Sequence, residues 1–260
     1  MKLIALVMAR NAGSLLKVCL ERMSEYCDGA LVLDDRSTDQ TGEIALRHRL
    51  VKKVYTVDRS VGEGNWCCSE GHHLTKLYSM AEAENADWVV RLDCDEYIDP
   101  GNHLRAVLEG QPKEVFGVRF PKQSTWDDPN YPELVPLMGP AKSRQGSVWR
   151  GLVGLRAEQP LHNPRMPEGI SARGRVADCE WPIFYHTGWN TLERRLQRAR
   201  FYLSLDPSSS WNNGVCYDRG LLFGYSLDAV DELVREYRKR FREKQVTLLE
   251  KAGADLGRKI

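Results

Sequence analysis

Short apolar runs alternate with amphipathic stretches through the first part of the chain, and each run stops at a polar cluster. Leu3 to Met8 is apolar throughout, the pattern of a strand covered on both faces. Leu15, Leu16, Cys19, Leu20 and Met23 then recur at helical spacing, and Asp28-Gly29 ends that helix. Ala30 to Leu33 reads as a second strand and Val51 to Val57 as a third. Between them runs a helix through about His48, which Ser37 and Gln40 would close as a capping box. After a glycine-rich loop, Leu74 to Glu84 reads as a helix and Trp88 to Leu92 as a strand. This order of elements implies an α/β fold with a mostly parallel sheet flanked by helices on both faces. Such sheets take ligands beyond the carboxyl ends of their strands. Asn11, Asp34-Asp35, Asp58-Arg59 and Asp93-Cys94-Asp95 all fall there.

Past this region, Val115 to Phe120, Val148 to Leu155 and Ile183 to His186 read as strands. Pro121 to Pro140, a Pro- and Trp-bearing stretch with little periodicity, has the length of a binding loop. Two helices close the chain. Asn190 and Glu193 would cap the first, and Ser226 the second, whose Val230, Leu233, Val234, Tyr237 and Phe241 form an apolar stripe. Its other face, with Arg235, Arg238, Lys239, Arg242 and Lys244, is basic. A solvated face explains that charge, with peripheral membrane contact or homodimerisation through this helix as the alternatives.

Composition narrows the classes. The 260 residues are 42% hydrophobic and 28% charged, enough for a sizeable core and unlike a wholly disordered chain. A net charge of +1 gives no global attraction to a nucleic acid polymer or an anionic membrane. No run approaches the ~18 apolar residues of a membrane span, and the start lacks a signal-peptide pattern, so a cytoplasmic location is the expectation. Seven cysteines without framework spacing fit a reducing compartment. Cys67-Cys68 with His72-His73 lacks the C-x-x-C pair of a zinc site.

Asp93 and Asp95 flank Cys94 where the strand W-V-V-R-L ends. In extended backbone, residues i and i+2 point the same way, so their carboxylates converge. Two hard oxygen ligands at a strand end suit Mg²⁺ or Mn²⁺. Glu96 would point away and anchor the following turn with Asp99-Pro100-Gly101. A bare D-x-D also reads as an acidic turn. Its position beyond a second strand-end acidic pair favours the metal.

Several segments, in order, give the chain a resemblance. These are I-A-L-V-M-A-R-N-A; A-L-V-L-D-D-R-S-T-D-Q-T against a V-V-D-D-G-S-T-D-x-T pattern; D-W-V-V-R-L-D-C-D-E-Y-I against D-W-V-L-x-L-D-A-D-E-F; and F-Y-H-T-G-W with the basic helix R-R-L-Q-R-A-R-F-Y. The chain resembles the GT-A-fold (Rossmann-like) glycosyltransferases, particularly the family-2-type enzymes of bacterial polysaccharide and lipopolysaccharide-core synthesis. The resemblance is good to about residue 100 and patchy to about residue 205. It implies a nucleotide-sugar-binding half at 1–110 and an acceptor-binding half at 111–190; the helical pattern adds a C-terminal helical extension at 191–260. It also implies transfer from a nucleotide-sugar donor, UDP-sugar ahead of GDP- or dTDP-sugar, to a glycan or other hydroxyl acceptor, with inversion. Ala9, Arg10 and Asn11 would line the base and ribose pocket, and Asp35 would bind the base. Asp95 would ligate the metal, Asp93 would reach ribose or metal, Cys94 would lie between them, and His186 would be the remote metal ligand. An imidazole ligand mildly favours Mn²⁺ over Mg²⁺. Arg59, His72, His73 and Lys76 are candidate diphosphate contacts.

The family's W…H-E segment appears here as Trp149 followed by Leu161-His162-Asn163, with Asn163 at the glutamate's place. An amide does not accept a proton usefully at neutral pH. Glu158 is the first candidate for the catalytic base, with Asp127, Asp128, Asp178 and Glu180 behind it. Trp126, Tyr131, Trp149 and Trp181 either stack on sugar or fill the core. Two other classes compete. A sugar-nucleotide pyrophosphorylase-like enzyme would need a Gly-rich phosphate loop that residues 10–14 lack. A non-catalytic carbohydrate-binding or scaffold protein with a degenerate transferase fold is the alternative that Asn163 raises.

Overall fold

Every residue of β1 (Leu3–Ala9) is buried. Such a strand needs a neighbour on each edge and cover on each face, and the computed structural model supplies both. β2 (Gly29–Asp34) pairs parallel along one edge and β4 (Trp88–Asp93) parallel along the other, with β3 (Val51–Thr56) parallel outside β2. Alternate β1 side chains enter opposite cores. Leu3, Ala5 and Val7 pack with Leu16, Leu20 and Met23 of α1 (Gly13–Met23), Ala45 of α2 (Thr41–Arg47) and Leu104 and Leu108 of α4 (Gly101–Glu109). Ile4, Leu6 and Met8 pack with Leu74, Leu77, Tyr78 and Ala81 of α3 (Glu70–Ala83).

The second half of the sheet changes direction. β7 (Arg144–Arg150) runs antiparallel to β4, and β6 (Val115–Ser124) antiparallel to β7. β8 (Arg175–Asp178) lies parallel beside β6, after the short helix α5 (Ile170–Arg173). β9 (Ile183–His186) pairs antiparallel with β5 (Glu96–Asp99). The strand order is β3-β2-β1-β4-β7-β6-β9-β5.

The structure describes residues 1–57, 70–124, 144–157, 159 and 163–186. All of these except Ser124 belong to one compact unit. Asp58-Arg59, Cys67-Cys68, Trp126, Asp127, Asp128, Tyr131, Glu158, His162 and both expected C-terminal helices lie outside the described residues. Among the described residues no helix is long and apolar enough to cross a membrane.

Three sequence expectations are corrected. The strand expected over Val148 to Leu155 starts at Arg144 and stops at Arg150. Gly151 follows it, so close to the Ala86 carbonyl oxygen that a Cβ there would sit 1.7 Å from it. The capping box of Ser37 and Gln40 does not form, because Asp39 takes its place. One Asp39 oxygen accepts from Thr41 N at 2.9 Å, and the other accepts from Gly13 N at 3.2 Å, joining the starts of α1 and α2. The Ser37 hydroxyl instead accepts from Asn11 N. Finally, β5, α4, α5 and β8 were not expected. They are short elements with mixed polarity.

One buried ion pair fixes α3 to the sheet. Arg91 on β4 and Glu70 at the start of α3 are 3.1 Å apart, with side chains 5% and 8% exposed. Arg91 also donates to the Pro164 carbonyl at 3.1 Å, and Glu70 accepts from Asn163 N. Removing one member strands a buried charge. Arg91→Met is therefore expected to lower the unfolding free energy by about 3–5 kcal/mol in urea titration. The double variant Glu70→Leu/Arg91→Met should recover most of that loss.

Candidate functional site

Strand register levels the rim. Met8 lies opposite Asp93 and Ala9 opposite Asp34, so the chain leaves β1, β2 and β4 at one edge of the sheet. Arg10-Asn11, Asp35-Arg36 and Cys94-Asp95 are the first residues past that edge.

After Asp93 the backbone turns at Cys94-Asp95 before entering β5. The turn breaks the two-residue alternation on which the expected convergence of Asp93 and Asp95 rested. It also reverses the expectation for Glu96. This side chain folds back, its Oε2 accepting from Asp93 N at 2.8 Å. The Cys19 thiol lies 3.5 Å from both the Asp93 and the Glu96 carbonyl oxygens, steadying the turn from below. The Cys94 thiol donates to the Met8 carbonyl, which places this side chain against the sheet.

His186 stands opposite Glu96 in the β5–β9 ladder and is 3% exposed. Its Nε2 is 3.8 Å from Asp95 Oδ2. Ligand atoms of Asp95, Glu96 and His186 all lie within 4.8 Å of one another. Two donors on one ion at ~2.1 Å are at most about 4.2 Å apart. The His186–Asp95 spacing is inside that limit and too long for a hydrogen bond. Two carboxylates and an imidazole are a donor set that suits Mn²⁺ or Mg²⁺.

Asp93 is held differently. Arg165, which the sequence reading missed, places Nη2 2.5 Å from Asp93 Oδ2 and 2.8 Å from Glu96 Oε1. Burial alone would raise the Asp93 pKa, but Arg165 and then Arg91 hold it below the usual carboxylate range. Burial pushes the Glu96 carboxyl up to about 7; Arg165 opposes this and the Asp93 charge adds to it. Lys122 of β6 also faces the cluster. Burial lowers its pKa, while Glu96, Asp93 and Asp95 pull the other way.

A second group gathers at the ends of β1 and β2. Asp35 is fully buried, and its carboxylate accepts from Arg36 Nε at 2.7 Å and from Arg10 Nη1 at 3.2 Å. Asn11 takes a left-handed conformation (φ 48°), and its Oδ1 accepts from Thr38 N at 2.8 Å. Ala9 is buried beneath, its carbonyl accepting from Asp35 N. Burial keeps the His73 pKa low, with Asp35 acting against it.

Other candidates fall elsewhere. Lys76 lies over the Tyr55 ring of β3, with its Nζ 5.5 Å from the centroid. Trp149 is a core residue in edge contact with Tyr78. Trp181 is exposed and donates from Nε1 to His103 Nδ1. Asp178 forms a two-bond pair with Arg119, and Glu180 pairs with Arg144. Asn163 closes a small loop: its Oδ1 accepts from Gln159 N at 3.0 Å and its Nδ2 donates to Gln159 O at 2.7 Å.

No protein-family model matches the chain. Two curated relatives, uncharacterized proteins of Mycobacterium tuberculosis and Mycobacterium bovis, are each 41% identical over 93% of this chain. The chain spans 60% of their length. Among solved structures it is similar to TarS 1-349 of S. aureus in complex with UDP-GlcNAc, with TM-score 0.53 and 14% identity over 79% of this chain and 68% of that one. Another structure of S. aureus TarS 1-349 gives TM-score 0.52 and 16% identity over 79% of this chain and 66% of that one. The α/β architecture is of the GT-A type expected from the sequence.

With both amide groups engaged by Gln159, Asn163 has a structural task of its own. Asn163→Ala is expected to lower the unfolding free energy by about 1 kcal/mol, since it removes both part-buried hydrogen bonds to the Gln159 backbone. Asn163→Asp should do no better, because it loses the Nδ2 donor. Urea unfolding of both variants measures this.

Proposed function

We propose that the chain is a metal-dependent, family-2-type glycosyltransferase. It moves a hexose-type sugar from a nucleoside-diphosphate donor, UDP-sugar first, to a hydroxyl of a glycan or lipopolysaccharide-type acceptor. The observation that carries the reading is the cluster of Asp95, Glu96 and His186 beside Asp93, set at the carboxyl rim of the sheet. The likeness in fold to TarS, solved with UDP-GlcNAc, supports it.

Residues 1–110 bind the donor in this reading, and residues 111–190 the acceptor. Asp95 and His186 hold the cation, with Glu96 beside them. Asp35 with Ala9, Arg10 and Asn11 receives the nucleoside. When bound, the cation supplies Lewis-acid compensation for charge on a departing diphosphate. The buried turn keeps the carboxylates in place beforehand, so little reorganisation is required. Glu158, outside the described residues, takes the acceptor proton and the anomeric centre inverts.

Titration calorimetry should show UDP or UDP-sugar binding only with Mn²⁺ or Mg²⁺ present, and Asp95→Ala or His186→Ala should abolish it. Nucleotide affinity indifferent to EDTA and to Asp95→Ala would sink the metal bridge.

Glu158→Gln is expected to lose turnover while keeping donor affinity, and full activity of this variant rejects the assignment. A second reading, a carbohydrate-binding scaffold on a degenerate transferase fold, draws on Asn163 at the place of the family's glutamate. Hydrolysis of a sugar nucleotide by the wild-type chain without acceptor excludes it.

A further inference from the structure

We propose that Arg165 is the resident counter-cation of the acidic cluster. It neutralises Asp93 and Glu96 while no divalent ion is bound, and turns to the donor's diphosphate when one arrives. This role rests on the transferase reading and adds to it a coupling between metal and nucleotide.

The placement of Arg165 is built, not incidental. Asn163 is fastened by its side chain to Gln159 and by its backbone N–H to Glu70. The Pro164 carbonyl accepts from Arg91, which is itself paired with Glu70. The next residue is Arg165, so three attachments just ahead of it aim one guanidinium at the turn between β4 and β5. There a single nitrogen, Nη2, serves both Asp93 and Glu96. The other terminal nitrogen, Nη1, is buried and has no hydrogen-bond partner among the described residues. A buried donor without an acceptor is costly, and a phosphate oxygen is the acceptor a guanidinium fork fits best.

Charge drives the exchange. Three carboxylates, Asp93, Asp95 and Glu96, share this turn; Arg165 pairs with two of them, and Lys122 faces the cluster as a second positive charge. A divalent ion at Asp95 and His186 would bring like charge near the guanidinium and compete with it for Glu96. The metal alone is thus opposed by Arg165, and a diphosphate alone by the carboxylates. Bound together, the ion takes the carboxylates and the displaced guanidinium takes phosphate. Each ligand then raises the affinity of the other by the same factor.

The test measures binding, not turnover, by Mn²⁺ and UDP titrations monitored by calorimetry and Mn²⁺ spin resonance. In the wild-type protein, UDP should tighten Mn²⁺ binding by at least about tenfold, and Mn²⁺ should tighten UDP binding by the same factor. Arg165→Met should bind Mn²⁺ alone about fivefold tighter, with the coupling to UDP reduced by about the same factor and the remainder carried by the metal bridge itself. Arg165→Lys keeps the charge but not the fork, so its Mn²⁺ affinity should stay near wild type while the coupling falls. Thermal melting confirms that each variant is folded, and if Arg165→Met is not, Arg165→Lys decides. Full coupling in a folded variant, or Mn²⁺ affinity in Arg165→Met no tighter than wild type, overturns the role. A wild-type protein that binds UDP without regard to Mn²⁺ or to Asp95→Ala instead overturns the transferase reading beneath it.

Discussion

The parallel pairing of β4 with one edge of β1, while β2 takes the other, is the constraint on which the rim depends. Parallel strands end at the same side of a sheet, so three separate stretches of sequence deliver their terminal residues to one place. The register is fixed by burial. Each β1 residue belongs to one of two cores, and a slip by one residue would exchange them. Hydrophobic packing thereby sets Asp93 level with Met8 and Asp34 level with Ala9, though it contributes nothing to the chemistry.

On that frame the charges are arranged in opposed sets. Asp35 sits between Arg10 and Arg36, Glu70 meets Arg91, and Asp93 with Glu96 meets Arg165. Buried ion pairs are poor sources of net stability, because desolvation offsets most of the attraction. Their concentration along this edge of the sheet is better explained by preorganisation. Arg165 holds the Asp93 carboxyl below the usual range and keeps Glu96 in place, so that, in the proposed reading, both stand ready beside the cation site.

The strands β1 to β4 were readable to within a residue or so. A strand covered on both faces must be apolar throughout, and that demand is written in consecutive positions. β5 and β8, four residues each and of mixed polarity, carried no such signature, whereas the equally short β9 was legible from its apolar Ile183-Phe184-Tyr185. The end of β7 depends on how closely Gly151 approaches Ala86, a tertiary fact. The site divides the same way. Asp35, Asp95 and His186 could be named as candidates because they lie in motifs, and the structure places His186 Nε2 3.8 Å from Asp95 Oδ2. Glu96 was misjudged because a turn replaced the assumed extended backbone. Arg165 gave no signal at all, since its partners lie 72 and 69 positions away and no periodicity links them.

The segment around Asn163 bears on whether the fold still has a task. Asn163 departs from the family's glutamate, and a chain drifting towards a scaffold would lose carboxylates at just such positions. Drift, however, leaves side chains without consistent partners. Here the asparagine's oxygen and nitrogen both close on Gln159, its backbone binds Glu70, and the neighbouring carbonyl binds Arg91. Every one of these contacts restricts the route by which Arg165 reaches Asp93. A loop so heavily constrained has an entropic cost that folding must offset, and its effect is to hold one guanidinium against a carboxylate cluster suited to a metal ion. Under the transferase reading proposed above, the proton acceptor then lies elsewhere, and Asn163 serves the loop that aims Arg165.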